Sequence, residues 1–317
     1  MLHTRRFGAF GLAIRKTLPE RNLTMTDMQA VLPVLLNEQL SYPCQTQWHQ
    51  LCKALLESSD PQLDPGSPDV PRLKSRLLTH VKENNLPYEN IPMSRPFYRQ
   101  MATTLEECQR RQGRLPDSLR TNPVPLLAMT NTHRIEQLEA EMTRLFSDPP
   151  SQDQLRHFLF EFLTPNDVRI FLRLRTTAGG QTLDVMPPSL DECLYAFSKV
   201  YVKASAKPSR VQQQHKLTVG AKALSKHWHR DQRTGFWGVC TGTEDAKNEH
   251  AERILVSILG DAVWINLHSL PHDETAYEIR QSQGYGVRWS KLAEGDWLFR
   301  GFLEPQMENG HSVGWRH

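Results

Sequence analysis

Apolar residues recur at spacings of three and four from Thr24 to Val202, and beyond the polar stretch Lys203–Lys216 helical spacing is joined by strand-like alternation, as in Thr275–Gln281. A side chain returns to the same helix face about every 3.6 residues and to the same strand face every second residue. The chain therefore divides into a basic tail at 1–23, a helical region at 24–202, a polar linker at 203–216 and a mixed segment at 217–317.

The helical region carries its own punctuation. Met25, Met28, Val31, Leu32, Leu35 and Leu36 form one apolar stripe, in which Pro33 bends or restarts the helix. Trp48, Leu51, Cys52, Leu55 and Leu56 form a second, and Leu73, Leu77, Leu78 and Val81 a third. Phe97 to Gln112 reads as a helix closed by Gly113, and Arg134 to Phe146 as another. Between them, Pro116, Pro123 and Pro125 make 115–127 irregular. Leu155 to Leu163 is helical, and Thr164-Pro165-Asn166-Asp167 starts a fresh helix with a cap, a proline at its first position and an acid at its positive end. Ser189 to Glu192 is a capping box. An all-helical core is the simplest account of these leucines and phenylalanines. The functional alternative is a module that binds a protein partner or covers a substrate.

In the last hundred residues, Thr218 caps a helix that runs to Arg230, Gly235 to Val239 is a short strand, and Lys247 to Leu259 is an amphipathic helix stopped by Gly260. Ala262–Leu267, Thr275–Gln281, Gly284–Trp289 and Trp297–Leu303 follow as strands. This order predicts an α+β chain, its small C-terminal domain having two helices packed on an antiparallel sheet.

Composition narrows the function classes without choosing one. A net charge of +3 permits a nucleic-acid partner but does not require one. Five scattered cysteines with no C-x-x-C give neither a disulfide frame nor a cysteine zinc site. No apolar run approaches the ~18 residues of a membrane span. The first acid is Glu20, preceded by Arg5, Arg6, Arg15 and Lys16 among Leu2, Phe7, Phe10, Leu12, Ile14 and Leu18. That pattern fits a mitochondrial presequence. The alternatives are a disordered basic tail, or a start at Met25 that leaves the protein cytoplasmic.

The chemistry is concentrated at one end. Seven of the thirteen histidines and six of the seven tryptophans lie between His227 and His317, with the densest cluster at Lys226-His227-Trp228-His229-Arg230. On a helix, His227 and Arg230 share a face, whereas His229 points about 200° away from His227. Gly284-Tyr285-Gly286-Val287-Arg288-Trp289 and Phe299-Arg300-Gly301-Phe302-Leu303-Glu304-Pro305 follow. This arrangement of Lys-His on a helix, Phe-Trp-Gly, a second helix, Gly-x-Gly-x-Arg-aromatic and Phe-Arg-Gly-Phe-Leu-Glu-Pro resembles the toxin-type ribonucleases of the barnase–EndoU–colicin–RelE-like group. The likeness covers about Leu217 to Pro305. It implies a metal-independent endoribonuclease with RNA as partner and no cofactor. His227 would be the helical catalytic histidine, with Arg288 and Arg300 as strand cations at the phosphate.

The residues themselves add detail. Histidine suits proton transfer near neutral pH, and the planar fork of arginine suits two phosphate oxygens. Arg230 joins His227 as a catalytic candidate. His229, Trp237, Tyr285, Glu304 and His311 are candidates for substrate contact, with the aromatics stacking bases or filling the core. Glu304 would support or orient a basic group. The tail from Gly310 to His317 folds back onto the sheet in this reading. Arg280, Arg288 and Arg300 have an ordinary alternative as salt-bridge partners of Glu278, Glu294 and Glu304. If Lys226–Arg230 were a strand, His227 and His229 would share a face, and with His268 and His272 could ligate zinc in a hydrolase. The third reading is non-enzymatic, a scaffold that binds RNA or protein.

Overall fold

The computed structural model describes residues 25–42, 47–59, 69–87, 91–121, 123–124, 132–175, 177, 185–202, 216–230, 234–292 and 295–306. The basic tail, nearly all of the linker and the Gly310–His317 tail with His311 lie outside the described residues.

The helical region forms α1 (Met28–Ser41), α2 (Gln47–Leu56), α3 (Asp69–Glu83), α4 (Tyr98–Arg110), α5 (Asp117–Arg120), α6 (Thr132–Leu145), α7 (Gln152–His157), α8 (Pro165–Phe171) and α9 (Leu190–Ser198). α1 runs through Pro33 instead of restarting there, anchored by the Asp27 side chain accepting from the Ala30 amide. Thr164 and Ser189 cap α8 and α9 in reciprocal boxes with Asp167 and Glu192. After α7 the chain widens into a π-helical turn, Phe158–Phe162. Within the stretch expected to be irregular, α5 is a single turn. Burial pushes the thiols of Cys52 and Cys108 up to about 12, so both act as packing groups.

The C-terminal segment is α10 (Val219–His227), α11 (Glu244–Gly260), β1 (Ala262–Leu270), β2 (Glu274–Gln281), β3 (Gly286–Lys291) and β4 (Leu298–Leu303). The strands form an antiparallel meander in the order β1-β2-β3-β4. The chain is α+β. The segment from Gly235 to Val239, expected as a strand, is a turn followed by irregular chain. Its glycines explain the difference: Gly235 and Gly238 have φ of 66° and 62°, values that break a ladder.

One face of the sheet is apolar and the other polar. Ile265, Leu267, Tyr277, Ile279, Val287 and Trp289 occupy the apolar face, together with Phe299 and Phe302 of β4. The helical region contributes to covering it. Phe197 of α9 packs edge-on against Phe299 at 5.1 Å, and the Trp289 indole donates to the Cys193 carbonyl at 3.0 Å. Residues from Met28 to Phe302 belong to one continuous hydrophobic core. Across it, Arg72 and Arg76 of α3 pair with Glu252 of α11, whose side chain is almost wholly buried. At the β1 edge, the Arg175 amide donates to the Ile265 carbonyl at 2.8 Å, forming a bridge opposite Asn266. Burial lowers the Arg175 guanidinium to about 10. At the β4 edge stands α10.

Candidate active site

His227 is the last helical residue of α10. Thr218 caps the helix by accepting from the Ala221 amide at 3.1 Å, and Ala221 and Leu224 bury its inner face. That register brings the imidazole to the β4 edge, where Glu304 follows the strand. His227 Nδ1 lies 2.9 Å from Glu304 Oε1. The Glu304 side chain is only 1% exposed. The Arg230 guanidinium approaches the other ring nitrogen, Nε2, at 3.4 Å. A carboxylate only accepts and a guanidinium only donates, so Nδ1 carries the proton and Nε2 the lone pair. In the neutral ring this tautomer leaves Nε2 as a hydrogen-bond acceptor, with the ring held by a buried carboxylate.

Two further features shape this corner. Glu304 Oε2 and the Trp237 indole nitrogen are buried without a hydrogen-bond partner among the described residues. Gly301, at φ 142°, sits at a bulge between β3 and β4, and a Cβ placed on it would stand 3.9 Å from His227 Nε2. Its register partner is Arg288, which in turn pairs with Glu278, which pairs with Asn266. A row of polar residues therefore crosses the sheet and ends, at Gly301, beside the histidine.

The row is centred on Glu278, whose side chain is 3% exposed. Arg280 Nε donates to Oε1 at 2.5 Å, while Arg288 donates to Oε2 from Nε at 3.0 Å and from Nη2 at 2.7 Å. His268 Nε2 lies 3.5 Å from the same oxygen. Burial alone would raise the Glu278 pKa, but the His268 contact and the two guanidiniums outweigh it and hold the carboxyl well below the usual carboxylate range. Nearby on this face, Arg300 Nε lies 3.4 Å from Glu274 Oε1, which also accepts from Ser290 Oγ. Arg280 Nη1 links the row to the histidine corner by donating to the carbonyls of Gly284 and Glu304, at 2.5 and 2.8 Å.

The structure corrects several sequence expectations. Trp237 is fully buried and Tyr285 nearly so, so neither offers an open face to a base. Trp237 packs on His227, Tyr285 and Phe302, and the Tyr285 hydroxyl is 2.7 Å from Thr234 Oγ1. Of the expected salt bridges, Arg280 with Glu278 forms and Glu294 lies outside the described residues; the others differ, because Arg288 shares Glu278, Arg300 takes Glu274 and Glu304 takes His227. His229 is exposed in the turn after α10, its ring edge-on to Trp228 at 6.2 Å. Lys226–His227 closes a helix, so the strand required by the four-histidine arrangement does not form. His268 is held on Glu278 and His272 sits in the β1–β2 turn at φ 68°. Among the described residues no group of three or more His, Cys, Asp or Glu is placed to hold a metal ion.

No local sequence pattern joins Glu278 and His268 into one constellation. The nearest signal is strand alternation, which puts 274, 278, 288 and 290 on one face. The register that aligns 268 and 278 with them appears only on folding.

The site thus sets a histidine held by a buried carboxylate beside the polar face of an antiparallel sheet, a combination of groups that can exchange protons and bind anions. A family model described as the CdiA C-terminal tRNase toxin domain matches residues 206–304. The match covers the linker's end, both helices and the whole sheet, under a third of the chain. It supports a toxin-type, RNA-cleaving nuclease domain at the level of class. No curated protein matches, and no solved structure matches.

Proposed function

We propose that this protein is a metal-independent endoribonuclease whose general base is His227. The observation that carries the reading is the His227–Glu304 contact at 2.9 Å, which leaves Nε2 as acceptor beside Gly301, Arg230 and the Arg288 row. Nε2 takes the proton of a ribose 2′-hydroxyl as the O2′–P bond forms. The P–O5′ bond breaks, the leaving 5′-oxygen is protonated from solvent, and the products are a 2′,3′-cyclic phosphate and a 5′-hydroxyl. Glu304 balances the imidazolium formed on the way. Arg230 and Arg288, with Arg300 at the rim, stabilise charge gathering on the phosphoryl oxygens. The matched family model names tRNA as the substrate of its domain, so tRNA is the first RNA to offer.

The test is incubation of the full chain with a tRNA pool in EDTA, beside His227→Ala. Cleavage leaving 2′,3′-cyclic phosphate ends, reduced about 10²- to 10⁴-fold in the variant, is the expected result. RNA bound equally by both proteins and cut by neither would establish a binding module instead. Cleavage appearing only after zinc is supplied would overturn the metal-independent mechanism.

A further inference from the structure

The β2–β3 turn opens onto a cavity of about 380 Å³ that the acid–base chemistry does not use. Its walls include Phe236, the end of α11 at Ser257, Gly260 and Asp261, the last β2 residue Gln281 and the turn residue Gln283. It is close to the histidine corner by construction. Gly284, in the same turn, shares the Arg280 guanidinium with Glu304. Phe236 is two ring contacts from His227, through Trp237 at 4.9 and 6.5 Å.

The wall chemistry is specific. Phe236 is fixed flat against Tyr285, centroids 3.8 Å apart and planes at 3°, and is also a wall residue of the cavity. An aromatic ring held in place by a buried partner provides a stacking platform with little ordering left to lose. The end of α11 brings the negative pole of the helix dipole to this wall, where Asp261 adds a carboxylate, one oxygen of which stands 4.0 Å from His80 Nε2. This pole disfavours a phosphate and favours N–H donors. Gln281 and Gln283 add amide groups, Gln281 Oε1 accepting from the Gln283 amide at 2.7 Å and Gln281 Nε2 donating to Gln283 Oε1 at 3.3 Å. Such amides can pair with a base edge as donor and acceptor together.

We infer that this cavity is a nucleobase subsite, taking one unstacked base of a single-stranded RNA segment that presents exocyclic or ring N–H donors. It would set the sequence or loop context in which the nuclease acts. The inference rests on the ribonuclease reading for its setting, but its test does not require cleavage.

The measurement is the affinity of full-length His227→Ala protein for 2′-O-methyl hexanucleotides of A, C, G and U, which cannot be cut by their own 2′-oxygen. Two substitutions in this background, Phe236→Ala and Gln283→Ala, probe the cavity, with thermal melting to confirm folding. Gln283 is exposed, so its replacement also serves if Phe236→Ala fails to fold. Preference among the four oligomers is expected, with Phe236→Ala weakening the best about 5- to 100-fold and Gln283→Ala flattening the preference. Equal binding of all four, unchanged affinity in the folded variants, or no binding to any oligomer would overturn the subsite. Cleavage by the wild type with any of these results leaves the nuclease standing without it. Selective binding without cleavage would leave the subsite standing and overturn the nuclease.

Discussion

His227 Nε2 faces the one position in β4 that has no side chain: a Cβ on Gly301 would stand 3.9 Å away. The spacing is ordinary contact, so the space alone does not demand glycine. The backbone does, because φ there is 142°. Gly301→Ala is therefore expected to cost about 1–3 kcal/mol of stability through backbone strain. It should also reduce RNA cleavage by filling the gap between His227 and Arg288. Denaturant melts and initial rates on the same preparation check both. Unchanged cleavage would mean the gap is not where substrate lies.

Glu304 keeps its place when changed to glutamine but loses its charge. Its backbone carbonyl still accepts from Arg280, so the strand end stays anchored. Glu304→Gln is expected to lower the cleavage rate about 10²-fold or more, by analogy with other histidines deprived of an orienting carboxylate, with little change in RNA affinity. A rate within a factor of two of wild type would show that the His227–Glu304 contact is structural.

Glu278 makes stability depend on acid. Its folded-state pKa is lowered, so its contribution is present above the unfolded value of about 4.3 and is lost progressively as pH falls below that value toward the folded pKa. Between pH 7 and 5 this group should leave the melting temperature level, and below about 4 the melting temperature should drop. Glu278→Gln removes that part of the acid response and is destabilised by about 3–5 kcal/mol at neutral pH, because Arg280 is left buried without its counter-charge. Calorimetry of both proteins from pH 3 to 7 tests the pair of statements.

Gly220 lets α10 lie against α9. A Cβ there would enter the ring of Phe197, which is itself locked against Phe299 and Phe302. Gly220→Ala should cost about 1–3 kcal/mol by overpacking, read from urea unfolding, and should displace His227 along with its helix. A fully stable and active variant would show that α9 yields easily.

The fragment 216–317 should melt well below the full chain and bind a hydrophobic dye. Without α9 the apolar sheet face loses Phe197 and the carbonyl that satisfies the Trp289 indole. Equal melting temperatures would show that the sheet and its own two helices suffice.

Much of this architecture was legible in the residues. The capping boxes at Thr164 and Ser189 marked helix starts directly, because caps are local chemistry. The four strands and their antiparallel sheet were readable from the residues, while the order β1-β2-β3-β4 came with the fold; Arg230 does meet His227, but from the turn after α10 and not from a helix continuing to Arg230. Long-range partners were not readable. Nothing local tells that Glu304, 77 residues on, orients His227, or that Glu278 takes two arginines. Trp237 and Tyr285 looked like stacking platforms by type, but burial is decided by the whole fold. Phe236 between them in the aromatic cluster is the ring that borders a cavity.

The meander has a consequence for the order of synthesis. Apart from the single Arg175 bridge on β1, its strands pair with sequence neighbours, so the four-stranded ladder forms by short loop closures and has no long crossover to wait for. The cover from α9 and the α3 arginines that grip α11 all precede it in the chain. On the ribosome, the apolar face of β3 and β4 therefore emerges after its lid has been made, and it need not remain bare in a half-finished chain. The helical region is thus complete in the chain before the sheet face against which α9 packs.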